Sequence, residues 1–336
     1  MRKTILVTGV AGFIGSHVAQ LLVEQGHEVV GIDDLSGGFM ENIPDGVCFY
    51  KCSLLNHEMV DSIFAHHSPH IVVHMAAYAT EGLSFHIRRF NYHNNLIASV
   101  NLINASINHG VEGFVFTSSM SVYGDQKPPF AETLGYKPVD PYAVAKQAVE
   151  QDLKIAGDFH GLKWCIIRPY SVYGERQNMA DAYRNVVAIF MNQALAGKPL
   201  TIFGDGNQRR AFSHISEVAP VIAAVVDRND VWGQIFNVGG SVNYSINHLA
   251  EEVCLAVDVP FNRIHLPPRQ EVAMAWSDNQ KTKNWFPHLF NPVPLSIGLE
   301  SMAAWAIKRG PQKCKPFAAI EVKKNLHSKW ENLNND

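Results

Sequence analysis

A strand-like run, KTILVTG, passes directly into Gly9, Gly12 and Gly15, and these open the amphipathic stretch GSHVAQLLVEQG, which Gly26 closes. Strand, glycine turn and helix in immediate succession commit the chain to a parallel βαβ start. The first glycine permits the tight turn, the second lets backbone approach a pyrophosphate, and the third lets helix and strand pack closely. The helix N-terminus then offers amide donors and the positive end of its dipole to phosphates. The spacing is G-x-x-G-x-x-G, not the G-x-G-x-x-G of ordinary Rossmann dehydrogenases. The next strand, HEVVGID, ends at Asp33. A carboxylate there accepts hydrogen bonds from an adenosine ribose and repels the extra phosphate of NADP. No arginine follows it immediately, so the expected cofactor is NAD.

Further on, the β-rich runs HIVVHMAA, EGFVFTSS and KWCIIRPYS alternate with helical stretches such as NNLIASVNLINASINHG and YAVAKQAVEQDLKIAGDFHG. This alternation predicts an α/β fold: a doubly wound parallel-sheet Rossmann domain. After about residue 171 the pattern loosens. The reading is a Rossmann domain over 1–170 and about 211–235, with a smaller α/β C-terminal lobe over about 171–210 and 236–336. A net charge of −3 gives no reason to expect nucleic acid or an anionic membrane. The basic run KRGPQKCKPFAAIEVKKNLHSKW carries no recognised motif and reads as solvated surface. No apolar stretch reaches the roughly 18 residues a membrane helix needs, and the apolar start meets glycines too soon for a signal peptide. Five cysteines without C-x-x-C or zinc spacing suit reduced thiols, hence a cytoplasmic protein. His74 and the other scattered histidines predict no metal.

DPYAVAKQAVE sets Tyr142 and Lys146 four apart, on one face of a predicted helix. An ammonium beside a phenol favours the phenolate, which can then act as a general base. Upstream, FVFTSSMSVYG ends a strand in three hydroxyls, Thr117, Ser118 and Ser119. A hydroxyl so placed can hydrogen-bond an alcohol oxygen as it becomes a carbonyl. Alone, Y-x-x-x-K is more often an amphipathic helix with a partly buried tyrosine; the dinucleotide loop in the same chain tips the balance.

Together VTGVAGFIGSHV, HMAAYA, NNLIASVNLINAS, TSSMSVYG, PYAVAKQAVE, RPYSVYGERQ, PLTIFGDGNQRRAFSHISEVA, NVGG and PLSIGLESMAAW span nearly the whole chain. In these motifs it resembles the extended short-chain dehydrogenase/reductases of the NAD-dependent nucleotide-sugar epimerase/dehydratase family, most of all the UDP-glucose and UDP-glucuronate 4-epimerases. The resemblance implies Tyr142 as base, Lys146 as its partner and nicotinamide-ribose ligand, and Ser119, four residues before Tyr123, as donor to the sugar O4. It implies an NAD site of Gly9, Gly12, Phe13, Ile14, Gly15, Asp33, Asp34, Ser36, Ser53, Leu54, Met75, Ala76, Ala77, Tyr78, Asn95, Ser118, Tyr142, Lys146 and Tyr170. For a UDP-sugar it implies Ser119, Tyr142, Ser171, Phe203 stacked on uracil, Arg210 and Arg269 on the diphosphate, Glu271 on the ribose, and Ala275. It also implies a homodimer pairing the helices near residues 95–109 and 142–159.

The chain departs from the family in places. Ser53 replaces an aspartate that touches adenine, Ser171 replaces the asparagine of R-x-x-N, and RRAF replaces R-D-F. The segment AYATEGLSFHIRRFNY, with Glu81, His86 and Arg88, also differs and reads as a solvated loop rather than a shaper of substrate access. The positions where 4,6-dehydratases carry their extra acid and base hold Met120 and Ser121, which argues against dehydration. The family's position for a uronate-binding cation holds Asn178, with Arg184 nearby. Ala275 stands where strict galactose epimerases carry a tyrosine and leaves room for an N-acetyl group. The expected reaction is 4-epimerisation of UDP-glucose/UDP-galactose through a transient 4-keto sugar. UDP-glucuronate comes second, UDP-N-acetylglucosamine third, and UDP-glucuronate decarboxylation after them. A non-enzymatic NAD-binding regulatory protein is the distant alternative from another class.

Overall fold

The structure, a computed structural model, describes residues 2–332. Six strands enter one sheet in succession: β1 (Thr4–Thr8), β2 (Glu28–Asp33), β3 (Val47–Lys51), β4 (Ile71–His74), β5 (Gly113–Thr117) and β6 (Lys163–Pro169). The chain then leaves through β7 (Val172–Tyr173), β8 (Leu200–Phe203), β9 (Arg209–Ala211) and β10 (Ser213–His214), and returns as β11 (Gln234–Val238). The result is a seven-stranded sheet of order β11-β6-β5-β4-β1-β2-β3, parallel at every pairing. The expected doubly wound α/β fold is what the chain forms. Outside the sheet lie β12 (Asn243–Ser245), β13 (Arg263–Leu266) and β14 (Met274–Ala275).

The central strands read as unbroken apolar runs because both faces are covered. Alternate residues point opposite ways. Ile5, Val7, Val73, Val115 and Ile167 pack under α1 (Phe13–Glu24) and α8, while Leu6, Val30, Val72, Phe114 and Ile166 pack under α2 (His57–His67), α5 and α6. Between β4 and β5 run α3 (Glu81–Ser84), α4 (Arg88–Tyr92), a π-helical turn at His93–Ile97 and α5 (Ala98–Asn108); α6 (Pro141–His160) precedes β6. Asp140 starts α6 by accepting the Ala143 N–H at 2.8 Å, with Pro141 just inside the helix. The remaining helices are α7 (Val186–Leu195), α8 (Ile215–Val225), α9 (Ile246–Val257), α10 (Gln280–Trp285), α11 (Leu295–Arg309) and α12 (Ser328–Asn332). Among them α7, α9 and α11 enclose a separate apolar cluster with Leu200 and Ile202, the core of the second lobe. No helix among the described residues is long and apolar enough to cross a membrane.

Two segments read from sequence as solvated differ in the structure. Residues 81–92 form α3 and α4, and the basic C-terminal run lies across them as a strap. Backbone N–H groups of Glu321 and Val322 donate to the His86 carbonyl at 2.8 and 3.1 Å. The Glu321 carboxylate accepts the Arg89 and Phe90 N–H groups at 2.7 and 2.9 Å, capping α4. Phe317 packs on Tyr78 and Phe90, and Trp330 is buried with Leu83, Ile87 and Tyr183.

Candidate active site

The glycine loop closes as its spacing requires. Gly9 has φ +73°, and a Cβ on it would lie 2.8 Å from the Ala76 nitrogen. A Cβ on Gly15 would lie 2.0 Å from the Gly9 carbonyl oxygen, so only glycine lets α1 start this close to β1. Gly12 caps α1 without a side chain. The first-turn amides have no intrahelical acceptor and stand at a cleft of about 420 Å³ lined by Gly9, Gly12, Phe13, Ile14 and Gly15. Asp33 accepts the Ala11 N–H through Oδ2 at 3.0 Å and the Leu35 N–H through Oδ1 at 2.8 Å. Burial pushes its carboxyl up, and these N–H groups pull it back. The carboxylate thus holds the loop while still lining the cleft beside Asp34, Ser36, Ser53 and Leu54. A bare helix N-terminus, a wall that excludes Cβ atoms and an acid at the end of β2 together fit a dinucleotide.

Next along the cleft come Met75, Ala76, Ala77 and Tyr78 at the end of β4, then Ser118, Ser119, Tyr142, Lys146, Tyr170 and Ser171. Thr8 Oγ1 accepts the Met75 and Ala76 N–H groups at 3.2 Å each. His74 bridges Thr8 Oγ1 at 2.7 Å and Ser99 Oγ at 2.8 Å, and burial with nearby Lys146 drives it down to about 3. It is a neutral core residue. Asn95 is not in the cleft wall: from behind, its Oδ1 accepts the Tyr78 N–H at 2.8 Å and its Nδ2 donates to the Tyr78 carbonyl at 3.1 Å. It therefore positions cleft backbone through Tyr78. Ser118 lines the cleft but donates its hydroxyl to Glu150 at 2.5 Å.

Ser119, Tyr142 and Lys146 converge on one stretch of wall. Ser119 Oγ accepts the Ser121 N–H at 3.1 Å. Lys146 Nζ donates to the Thr117 carbonyl at 2.8 Å and lies 5.8 Å from the centre of the Tyr142 ring. Burial lowers Lys146 to about 7, with Glu150 opposing. Burial, then Glu81, push Tyr142 above the ordinary phenol value, and the Ser119 hydroxyl pulls it back. The residues meet as the four-residue spacing requires, but burial opposes the charge separation that the spacing alone led one to expect.

The far end of the cleft carries Phe203, Arg210, Arg269 and Glu271. Arg269 lies over Phe203 at 4.4 Å and 5.9 Å from the Trp330 ring. Glu271 pairs with Arg210 at 3.6 Å and Arg269 at 3.4 Å, and accepts from Gln208 Nε2 at 3.1 Å. Ala275 is not part of this wall. It sits in β14 packed with Tyr123, Phe130, Tyr170 and Ala211. Asn178 donates to the Gly37 carbonyl at 3.2 Å. Arg184 is paired with Asp181 at 2.8 Å and lies 4.2 Å from the Tyr78 ring centre.

Sequence reasoning did not single out Asn185 or Gln208, and it weighed Glu81 as a shaper of substrate access but favoured a solvated loop; all three line the cleft. Asn185 starts α7 by accepting the Val187 N–H at 2.9 Å. An asparagine just before a helical run is a cap signal, but nothing local to the sequence says that this helix end borders a cleft.

Residues 5–239 match the model of the NAD dependent epimerase/dehydratase family. Among curated proteins, the chain is 32% identical over 318 residues to an uncharacterized UDP-glucose epimerase, YtcB, of Bacillus subtilis, covering 90% of this chain and 97% of that protein. Among solved structures it is similar to UDP-glucose 4-epimerase of Thermotoga maritima with UDP-glucose, at TM-score 0.84 and 32% identity over 90% of this chain and 98% of that one. It is also similar to UDP-glucuronic acid 4-epimerase of Bacillus cereus with UDP-glucuronic acid and NAD, at TM-score 0.84 and 28% identity over 91% and 99%.

Proposed function

The chain belongs to the NAD dependent epimerase/dehydratase family, and on that footing we propose that it is an NAD-dependent isomerase, a 4-epimerase interconverting UDP-glucose and UDP-galactose. The observation that carries the reading is the meeting of Ser119, Tyr142 and Lys146 in the same cleft as the glycine loop. Gly9, Gly12, Gly15, the first turn of α1 and Asp33 would hold the cofactor. Bound there, NAD supplies a reversible hydride acceptor for C4 of the sugar. Tyr142 Oη takes the proton of the 4-hydroxyl, and Ser119 Oγ donates to O4 as it becomes a carbonyl. Lys146, fixed on the Thr117 carbonyl, holds cationic charge near the phenol oxygen. Arg210 and Arg269 grip the diphosphate through charge-assisted contacts while the 4-keto sugar turns its other face. At the end of the cycle Tyr142 would return the proton to O4, and the reaction would leave no net redox change.

For the sugar, Asn178 offers a neutral amide and Arg184 is already paired with Asp181. Asn178 brings no charge and the charge of Arg184 is shared with Asp181, which favours a neutral hexose. The likeness to a UDP-glucuronic acid 4-epimerase makes UDP-glucuronate the second reading. Met120 and Ser121 supply no acid or base for dehydration.

The test incubates purified protein separately with UDP-glucose, UDP-glucuronate and UDP-N-acetylglucosamine, with and without added NAD, and separates the products. UDP-galactose from UDP-glucose is expected. A 4-epimer from none of the three would overturn the reading, and release of carbon dioxide would replace it with a decarboxylase. Tyr142→Phe should lower kcat about 10²–10⁴-fold, the usual range for removing a general base, with NAD binding retained.

A further inference from the structure

Glu81 is the first residue of α3. It lines the main cleft that Ser119, Tyr142, Arg210 and Arg269 also line. It borders as well a second, smaller cavity of about 100 Å³ shared with Asp140, Arg269 and Glu271. Its neighbour Gly82 is so close to the diphosphate end that a Cβ there would lie 3.6 Å from Arg269 Nη1. Glu81 therefore shares one cleft with Tyr142 of α6 and a second cavity with Arg269 and Glu271, and we infer that a sugar held at both ends lies beside it.

The electrostatics agree with this placement. Glu81 is an exposed residue, yet desolvation among its cleft neighbours raises its carboxyl, Arg210 and Arg269 pull it back, and Glu271 raises it again. Glu81 in turn raises both Tyr142 and Asp140. One carboxyl thus feels both ends of the cleft. The groups that face it are Tyr142 of α6 and Asp140 that caps it, Arg210 from β9, and Arg269 and Glu271 from the segment before β14.

We propose that Glu81 is a sugar-contacting selectivity residue that accepts hydrogen bonds from an uncharged hexose and rejects a sugar bearing a carboxylate. The proposal rests on the reading that this cleft holds a UDP-sugar. A second carboxylate brought beside Glu81 would meet a like charge, or would have to take up a proton to share the site. Hydroxyls of a neutral hexose meet an acceptor instead. The arginines do not cancel this bias, since both already pair with Glu271 and are needed by the diphosphate.

The test compares UDP-glucose with UDP-glucuronate on the NAD-loaded enzyme, by kcat/KM and, independently of turnover, by competitive displacement of bound UDP. The variants are Glu81→Gln, which removes the charge at constant shape, and Glu81→Asp, which keeps it. In the wild type UDP-glucose should be preferred on both measures. Glu81→Gln should move the uronate-to-glucose ratio toward the uronate by at least about tenfold, a modest value for relief of a like-charge contact. Glu81→Asp should leave that ratio within about threefold of wild type, since a retained charge keeps the like-charge contact. An unchanged ratio in Glu81→Gln, or an equal shift in both variants, overturns the proposal. A fall on both sugars together marks a purely structural role and does the same. If the wild type yields no 4-epimer, the reading of the reaction fails, while the displacement ratios still decide the role of Glu81.

Discussion

Lys146 and Tyr142 lie one turn apart on α6, and both are buried. The lysine carries the greater cost, because burial holds it at about 7 in the folded chain against about 10.4 unfolded. Its folded value is lowered, so below about 7 it is charged in both states and the folded state bears the full penalty. Between about 7 and 10.4 the folded state sheds its proton first, and the penalty fades as pH rises. Lys146→Met should therefore raise Tm at pH 7 while abolishing turnover, and its Tm advantage should shrink from pH 7 to pH 10. A Tm at pH 7 equal to or below wild type would mean that the ammonium is well satisfied in the folded protein. At this scale the sequence was informative wherever a residue's place follows from a strand end or a helix turn, as for Gly9, Ser119 and Tyr142. It put Asn95 and Ala275 in the right segments but did not show that Asn95 bonds the Tyr78 backbone or that Ala275 packs with Tyr123 and Phe130. Facing depends on what packs behind a residue, and one sequence does not carry that. Glu81 read as solvated for a related reason: a polar residue in a short segment without periodicity gives no sign that a cleft lies beside it.

Among the elements, α6 has to hold Tyr142 fixed against β5 and β6, and a buried polar network does this. Arg168 of β6 pairs with Glu150 of α6 through two bonds, Nη2 to Oε2 at 2.6 Å and Nε to Oε1 at 2.9 Å. Arg168 Nη1 also donates to Tyr123 Oη at 2.7 Å, which donates to Asn237 Oδ1 of β11 at 2.8 Å. Ser118 and Tyr136 supply further donors to Glu150 at 2.5 and 2.9 Å. Every acceptor is served, so removing one partner leaves an uncompensated charge. Arg168→Met should cost about 3–5 kcal/mol in urea unfolding, and the double change Glu150→Leu with Arg168→Met should recover most of it. A loss below about 1 kcal/mol in the single variant would show that Glu150 is neutral in the fold, or solvated when unpaired. Most of the sheet was legible because its central strands are apolar on both faces. The edge strand β3, VCFYK, was not singled out, since half of its pattern is turned toward solvent. Nor was β11, whose partner β6 lies far back in sequence, beyond the reach of local periodicity.

At the scale of the whole molecule, two surfaces remain to be matched with their partners. The first is internal. The strap that ends the chain ties α3 and α4 to the arginine end of the cleft, through Trp330 on one side and the Glu321 cap on the other. Its lysines made it look solvated, because charge dominates composition while the few aromatics decide the packing. The second lies on the outer side of α6. There Val144, Ile155 and Phe159 are 39%, 64% and 82% exposed. Their spacings of eleven and four put them on one helical stripe, and Ile97, 45% exposed, precedes α5, which packs on α6. Apolar side chains this open along one stripe are costly in a monomer. In the homodimer that the resemblance implies, we propose that a second copy covers them across a two-fold axis, the helices near residues 95–109 and 142–159 of each copy meeting those of the other. Light scattering should then give a mass twice that of the chain, and Ile155→Lys with Phe159→Lys should halve it without altering the far-UV circular dichroism. Because Tyr142 sits on the same helix, monomerisation should also lower Tm and the retention of NAD. A wild type that is monomeric at micromolar concentration, or a double variant that stays dimeric, would place the partner surface elsewhere.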